Sequence, residues 1–330
     1  MTHPDAAVTK GKPVRPQSLS VKVALIPAQL QEEWDIYHAT WFTLMGVGGG
    51  VFLLARLLGI EGRLGLWLGL PVVDLVSFVV IGVGGLVLIW SLGRPLRFLR
   101  AVMKPGSSWI SRGAIADFIF LVVGGVLILP GLKLGGATPF APLPWDPWAS
   151  DTVGKTMEIL ALLSSAVVIV YAGLVLADKA AVPFWNSPAI PIQFMLSSLA
   201  MSMAGVMLLE VLNGEPIAAL QLWLLFGFLA LLLVAIIWHV MTKKTAPGRA
   251  ESLERLHRKY RWSFLGGVVT AGTILPMVLA VVGVVMPPAR NAVGIVCLLS
   301  TVAGGFALRL ITLRVGFFPP VTGSIRLPKR

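Results

Sequence analysis

Apolar side chains dominate eight long stretches of this chain, and shorter polar or basic segments separate them. A helix that crosses the hydrocarbon core of a bilayer needs roughly twenty mostly apolar residues. Each stretch is long enough, so the pattern predicts eight membrane-spanning helices. Their approximate ranges are residues 37–59, 68–92, 112–134, 154–177, 188–212, 216–241, 262–286 and 290–316.

The order of these spans predicts an all-α integral membrane protein, with the eight helices arranged as two four-helix bundles. A polar, proline-containing arm (1–34) precedes the first bundle (35–177), and a short tail (317–330) follows the second bundle (178–316). The arm has no continuous apolar core and no small-residue cleavage site, so we predict no signal peptide. Its last part, residues 21–34, is expected to lie along the membrane surface.

Composition supports the membrane assignment. Hydrophobic residues make up 56% of the sequence, charged residues only 13%, and the mean hydropathy is +0.86. Because an ordinary soluble domain carries about a quarter charged residues, this protein has too few charges to coat a water-facing surface. A soluble enzyme, a disordered protein and a nucleic-acid-binding domain are therefore excluded, despite a net charge of +12. The expected surroundings are membrane lipid, with no nucleic-acid partner.

The distribution of Lys and Arg predicts the orientation. Eight spans place both termini on one side, and twenty Lys and Arg residues lie on that side against five on the other. Arg56, near the end of the first predicted span, is counted among the five. Since basic residues concentrate on the cytoplasmic side, we predict a multi-pass protein with both termini in the cytoplasm.

Histidine and cysteine are too scarce for resident redox centres. Cys297 is the one cysteine, so this chain alone cannot hold an iron–sulfur cluster in the usual four-cysteine manner. His38 and His239 are the only histidines at span depth, and both lie near the ends of their helices. A haem with two histidine ligands is therefore not expected, and neither is a metal site.

Four carboxylates lie within the predicted spans or at their edges. An ionisable group in hydrocarbon is costly, so each is a candidate for function. Asp74, Glu158 and Glu210 lie near the non-terminal ends of their spans and could relay protons to the water on that side. The alternative is that each reaches the interface or satisfies a neighbouring helix.

Tyr171 is the tyrosine that lies deepest in a span, at a level similar to His38 and Asp117. A buried phenol requires a hydrogen-bond partner. A phenol, an imidazole and a carboxylate at one level could hold a quinone head group and accompany its electrons with protons. Because the helical phase is unknown, structural roles for the three residues stay open.

Two basic segments on the terminal side could bind partners. The segment 93–113 contains Arg94, Arg97, Arg100 and Lys104, which are candidates for docking an extrinsic subunit. The alternative is an ordinary solvated loop between two helices. The segment 243–261 carries seven Lys and Arg residues and could bind anionic lipid or an acidic subunit.

Several of these segments resemble one known family. In order along the sequence, the pieces resemble the NrfD/polysulfide-reductase membrane-subunit family, most clearly over residues 34–212. They are the tryptophan-led first span with Gly46–Gly50, the loop pieces Leu92–Pro95 and Ser108–Ala114, the helix piece Tyr171–Leu176, and the pieces Pro183–Asn186 and Pro191–Ser198.

The resemblance implies a haem-free membrane anchor and quinone-binding subunit of an iron–sulfur molybdoenzyme complex. Such a subunit exchanges electrons between menaquinone or ubiquinone and a docked four-cluster ferredoxin-like subunit, next to a molybdopterin catalytic subunit. Respiration or oxidation of sulfur compounds at a bacterial or archaeal cytoplasmic membrane would be the setting. The family's quinone site is matched by Tyr171 and, at the start of the first span, by His38, Asp35 and Trp34. Asp117 is added from its depth and chemistry.

Two other classes of function remain open from the sequence. A secondary transporter would use the intramembrane carboxylates and interrupted helices, such as the one that contains Pro276. No pair of broken helices is evident in corresponding halves of the sequence. A membrane scaffold without redox chemistry is the third possibility.

Overall fold

The computed structural model describes residues 20–91, 102–242 and 249–326. Within them, eight helical segments are long and apolar enough to cross a membrane, as predicted. Each segment begins and ends within four residues of its predicted position. The helices are α1 (Ile36–Leu57), α2 (Val72–Ser91), α3 (Trp109–Ile128), α4 (Thr152–Ala177), α5 (Ala189–Leu212), α6 (Ala219–Thr242), α7 (Arg249–Arg258), α8 (Leu275–Val285) and α9 (Arg290–Arg314).

Helix α1 lies at the centre of the assembly and packs against α2, α4, α5 and α9. It is the most enclosed span, since 72% of its apolar window is buried against 33% for α2. Small residues allow this close packing. A Cβ added at Gly46 would collide with the Ser198 side chain on α5, so a larger residue would require that side chain to move. The division into two four-helix bundles stays a prediction.

The segments that precede the first span and follow the last one meet at one end of the helix assembly, which we call the terminal end. Strand β1 (Ser20–Ile26) pairs antiparallel with β6 (Val321–Arg326), and β2 (Gln29–Leu30) pairs with β5 (Phe317–Phe318). At the opposite end, β3 (Leu66–Trp67) and β4 (Leu70–Pro71) form a small hairpin. An even number of spans leaves both ends of the chain on one side of the membrane, so the pairing of β1 with β6 is consistent with eight spans.

Two local features differ from the predictions. The sequence predicts a basic loop over residues 243–261, but its Arg249–Arg258 part is the amphipathic helix α7, which buries Ser252, Leu253 and Leu256. The seventh span begins as a π-helix, Ser263–Ile274, before it continues as α8. Neither feature could be predicted from the sequence, because a ten-residue polar helix and a wider helical turn change the apolar periodicity very little.

Candidate functional site

Tyr171 and Asp117 form a direct pair between two neighbouring helices. Tyr171 lies near the terminal end of α4, and Asp117 lies in the first half of α3. The Tyr171 hydroxyl donates a hydrogen bond to Asp117 Oδ2 over 3.2 Å. The tyrosine is 1% exposed, so this polar contact is made in a nearly water-free environment. The structure therefore brings together two residues that the sequence placed only at a similar level.

A glycine allows α3 to approach the tyrosine ring. A Cβ added at Gly113 would lie 2.2 Å from Tyr171 Cδ2, closer than any real carbon contact. On the other side, the Trp41 indole of α1 lies with its centroid 5.9 Å from the tyrosine ring. The phenol ring is thus held between α1 and α3.

Two polar atoms beside Tyr171 are buried without a hydrogen-bond partner among the described residues. They are Nε1 of Trp41 and Oδ1 of Asp117. Buried polar atoms in native proteins nearly always have partners, so an unsatisfied one calls for an explanation such as a ligand or a water molecule. One is a donor and the other is an acceptor or, when protonated, a donor.

The start of α1 holds the other three predicted site residues. Asp35 caps the helix, since its Oδ1 accepts from the Tyr37 backbone N–H over 3.0 Å. His38 Nδ1 also lies 3.0 Å from this oxygen, and the Trp34 ring centroid is 4.9 Å from the imidazole. Burial raises the pKa of the Asp35 carboxyl, but the hydrogen bonds from His38 and Tyr37 outweigh it and hold this pKa below its usual value.

Aromatic contacts connect the residues at the start of α1 with the Tyr171–Asp117 pair. The His38 ring centroid lies 6.5 Å from Trp41, and Trp41 in turn contacts Tyr171. Helix capping and packing account for the positions of Asp35, His38 and Trp34, because Trp34 also stacks on Phe42 at 6.0 Å. Trp41 was not singled out in the sequence. It lies three residues after His38, on the same helix face, and that spacing was the available signal.

At the opposite end, two predicted carboxylates converge on Arg56, which the sequence analysis counted only as a basic residue of the non-terminal side. Arg56 is part of α1, and its side chain is fully buried. Its Nη2 lies 2.5 Å from Asp74 Oδ2, and its Nη1 lies 3.4 Å from Glu158 Oε1. Its place among the basic residues of the non-terminal side gave no sign of this network, because the side chain turns inward toward α2 and α4.

Lys155 extends this buried network to the surface. Its Nζ lies 2.5 Å from Glu158 Oε2, and its side chain is 60% exposed. Glu61 Oε1 lies 4.0 Å from Arg56 Nη1, so three carboxylates surround the guanidinium. Ion pairs therefore run continuously from the exposed Lys155 to the fully buried Asp74. The Asp74 Oδ1 atom has no hydrogen-bond partner among the described residues.

Glu210 does not join this network. It lies near the non-terminal end of α5, is 1% exposed, and interacts electrostatically with Gln221, Arg63 and Glu215. Its Oε2 has no hydrogen-bond partner among the described residues. The structure thus groups Asp74 with Glu158 and places Glu210 in a separate polar cluster at the same end.

A second buried arginine is Arg309, which lies inside the last span, in α9. It is 1% exposed, and its hydrogen bonds go to neutral acceptors. Nη1 donates to the Ser197 hydroxyl oxygen and the Gly305 carbonyl oxygen, both over 2.9 Å. Nη2 donates to the Ser198 hydroxyl oxygen over 2.6 Å and to the Phe194 carbonyl oxygen over 3.0 Å. Within the described ranges, no carboxylate pairs with it.

Of the predicted docking residues, only Lys104 can be placed. It is exposed at the terminal end, shortly before α3. Arg94, Arg97 and Arg100 lie outside the described residues. Arg112 fixes the start of α3, because its guanidinium donates to the carbonyl oxygens of Pro105 and Gly106 and lies 4.4 Å from the Trp109 ring centroid. In the part of the chain that is described, no group of three or more His, Cys, Asp and Glu side chains is arranged to hold a metal ion.

These features define an eight-span integral membrane protein with a buried tyrosine–carboxylate site near the terminal end. Comparison with known proteins identifies the family. Residues 28–320 match the family model described as polysulphide reductase, NrfD, and this chain belongs to that family. A polysulfide reductase subunit of Wolinella succinogenes is 26% identical over 259 residues, which are 73% of this chain and 80% of that protein.

Proposed function

We propose that this protein is the membrane anchor and quinone-binding subunit of an iron–sulfur molybdoenzyme complex. It would exchange electrons between the quinone pool and a docked four-cluster ferredoxin-like subunit, with a molybdopterin subunit carrying the catalytic reaction on a sulfur compound. The observation that carries this proposal is the Tyr171–Asp117 pair with the unpartnered Trp41 Nε1 beside it. Membership of the NrfD family and similarity to a polysulfide reductase subunit support it.

The residues around Tyr171 fit a quinone head group. A quinone, menaquinone or ubiquinone, supplies a carrier of two electrons and two protons when it binds. A carbonyl oxygen of the ring could accept from the Trp41 indole N–H, and the reduced hydroxyl could donate to the unpaired Asp117 Oδ1. His38, Asp35 and Trp34 would form the approach at the start of α1. Aromatic rings there offer a flat, apolar surface for a planar ligand.

Each side chain would have a distinct role. The Tyr171 hydroxyl would orient the ligand by a hydrogen bond and would exchange its present acceptor, Asp117 Oδ2, for a ligand oxygen. Asp117 would hold or release a proton at Oδ1, because a carboxyl group can act as acid or base in the protonation that accompanies electron transfer. Trp41 would contribute a fixed donor. Electrons would pass to clusters held by another subunit.

Replacing Tyr171 by Phe tests the site. The change removes one hydroxyl and keeps the ring, so α3 and α4 should still pack. We expect quinone-linked turnover of the assembled complex to fall at least tenfold, which corresponds to the loss of about 1.4 kcal/mol of interaction. Tyr37→Phe is the matched control, since Tyr37 is 48% exposed at the same end of the molecule. Normal turnover in Tyr171→Phe would remove the tyrosine from the proposal.

Purification of the tagged protein from its native membrane in mild detergent tests the assembly. Mass spectrometry should identify an iron–sulfur subunit and a molybdenum-type catalytic subunit. Recovery of the folded protein alone would argue against the redox function. When the complex is recovered, the exposed Lys104 should form amine crosslinks with the iron–sulfur subunit, and Arg94, Arg97 and Arg100 are proposed to contribute to the same contact. We place the complex in the bacterial or archaeal cytoplasmic membrane, with both termini and the docked subunit in the cytoplasm.

Asp74, Glu158 and Glu210 are proposed to move protons at the opposite end. Unpaired buried oxygens on Asp74 and Glu210, and the ion-pair connection from Glu158 to the exposed Lys155, support this role. We expect Asp74→Asn, Glu158→Gln and Glu210→Gln each to slow turnover severalfold. Glu254→Gln, in an exposed ion pair with Arg258 and away from these three carboxylates, is the control. Unchanged rates in all three variants would make these carboxylates structural.

A further inference from the structure

A deep apolar groove lies between α6 and the π-helix, on the terminal half of the molecule and away from Tyr171. Its volume is about 310 Å³, at the lower end of the range for small-molecule sites. The walls come from Ile237 and Met241 of α6, from Leu256 of α7, and from Phe264 and Leu265 of the π-helix. Because Ile237, Met241 and Leu265 are each more than 40% exposed, the groove opens sideways toward the membrane.

The π-helical turn contributes to the shape of this groove. The first twelve residues of the seventh span, Ser263–Ile274, are wound with i→i+5 hydrogen bonding, and the Thr273 hydroxyl donates to the Val268 carbonyl oxygen over 2.9 Å. A π-helix is wider than an α-helix, is rarely longer than one turn, and occurs frequently at functional sites. Here its residues Phe264, Leu265 and Val269 line the groove opposite α6. A small cavity of about 20 Å³ lies behind it and shares Val240, Leu256 and Phe264 with the groove.

The mouth of the groove is basic. Arg261 and His257 line it at the terminal end, where α7 meets the π-helix. Arg261 is exposed and forms no ion pair within the described part of the chain, although its guanidinium lies 5.6 Å from the Trp262 ring centroid. Trp262 is 80% exposed. Exposed tryptophan and arginine side chains at the end of a span are typical of the level of the lipid head groups.

We propose that this groove is a binding site for an anionic phospholipid. One acyl tail would lie between α6 and the π-helix, and the phosphate would lie at Arg261. Charge complementarity selects this occupant, because the polar lining residues are Arg261 and His257 and no carboxylate among the described residues lines the groove. Basic pockets between membrane helices bind such head groups. The site shares no residue with the Trp41–Tyr171–Asp117 group, so either proposal can fail alone.

Native mass spectrometry of the delipidated full-length protein in detergent tests the proposal with two probes. These are dioleoylphosphatidylglycerol, which is anionic, and dioleoylphosphatidylcholine, which is zwitterionic. We expect one tightly bound phosphatidylglycerol and a weaker phosphatidylcholine. Arg261→Gln should reduce phosphatidylglycerol affinity about fivefold, as expected for one basic residue near an anionic head group. The loss for phosphatidylcholine should be smaller, because its choline cation offsets the attraction of its phosphate to the arginine. The control is Arg258→Gln, because Arg258 is an exposed neighbour in α7 that bonds Glu254 over 3.0 Å.

A second pair of variants tests the apolar part of the site. Ile237→Trp adds volume inside the groove and should displace both lipids, whereas Val234→Trp lies on the same helix and is 62% exposed, but outside the groove. Both variants should elute as folded monodisperse species. Retained lipid binding in Ile237→Trp, or equal losses in Arg258→Gln and Arg261→Gln, would overturn the proposal. Displacement of the lipid by an equimolar naphthoquinone analogue would instead assign the groove to a quinone.

Discussion

Arg56 and Arg309 both lie inside membrane-spanning helices with almost no exposure, but only one of them is surrounded by opposite charge. Arg56 lies among Asp74, Glu158 and Glu61, with the nearest carboxylate oxygen 2.5 Å away. Arg309 lies among two serine hydroxyls and two backbone carbonyl oxygens, and its guanidinium is 5.0 Å from the Phe194 ring centroid. The same side chain is thus held in two different ways within one membrane domain.

The difference indicates what each arginine contributes. In the Arg56 network, removing one member leaves other charges buried and uncompensated, which is among the most destabilising changes known. Around Arg309 every partner is neutral and has another hydrogen bond available. The Ser197 and Ser198 hydroxyls also donate to the Phe194 carbonyl oxygen, over 3.1 Å and 2.7 Å. The network should therefore govern stability, and Arg309 should contribute mainly a positive charge at the contact of α1, α5 and α9.

Replacing Arg56 by Met gives the largest expected effect. The change leaves Asp74, which is fully buried, without a counter-charge, whereas Glu158 keeps Lys155. We expect the free energy of unfolding in detergent to fall by about 3–5 kcal/mol. The double variant Arg56→Met/Asp74→Asn should recover more than half of this loss, because the orphaned charge is removed. Equal stability of the single and double variants would show that Asp74 does not carry the penalty.

Replacing Arg309 by Met should have a much smaller effect. A methionine of similar length fills the space, the desolvation cost of the guanidinium is removed, and the serines keep their bonds within α5. We expect a loss of about 1 kcal/mol in the free energy of unfolding, the net value of a typical hydrogen bond. Thermal unfolding of both variants under identical detergent conditions checks this. A loss as large as that of Arg56→Met would mean that Arg309 has a charged partner in the folded protein.

This contrast also shows how far the sequence could predict the structure. Span positions follow from apolar length alone, and all eight were predicted within four residues. The rotation of each helix about its axis does not follow, because nearly every face of these spans is apolar. The sequence therefore places Arg56 near the non-terminal end of the first span, but it does not show that the side chain turns inward. Its inward direction is fixed by Asp74 and Glu158, which come from helices far apart in sequence.

The candidate site shows the same limit. Tyr171 and Asp117 could be placed at one depth by counting along α4 and α3, and the structure adds the 3.2 Å contact. The cause of that contact is Gly113, whose missing side chain leaves room for the tyrosine ring. Trp41 escaped notice because a tryptophan in an apolar span is ordinary. What marks it is its unpartnered Nε1 atom, and this property is visible only in three dimensions.

Replacing Arg63 by Gln should have the smallest effect of the three arginine changes. It separates the effect of burial from that of ion pairing, because Arg63 is paired but exposed. Arg63 Nη2 lies 3.0 Å from Glu215 Oε2, at the same end of the molecule as Arg56, but the two side chains are 49% and 38% exposed. Water and salt screen such a pair, so we expect a loss of about 0.5 kcal/mol in the free energy of unfolding.

This loss should fade as ionic strength rises, whereas that of Arg56→Met should persist, because buried pairs are screened far less. Unfolding measured at low and high salt distinguishes the two. An equal salt dependence of both losses would mean that water reaches the Arg56 network. The network would then contribute no more to stability than an ordinary surface ion pair.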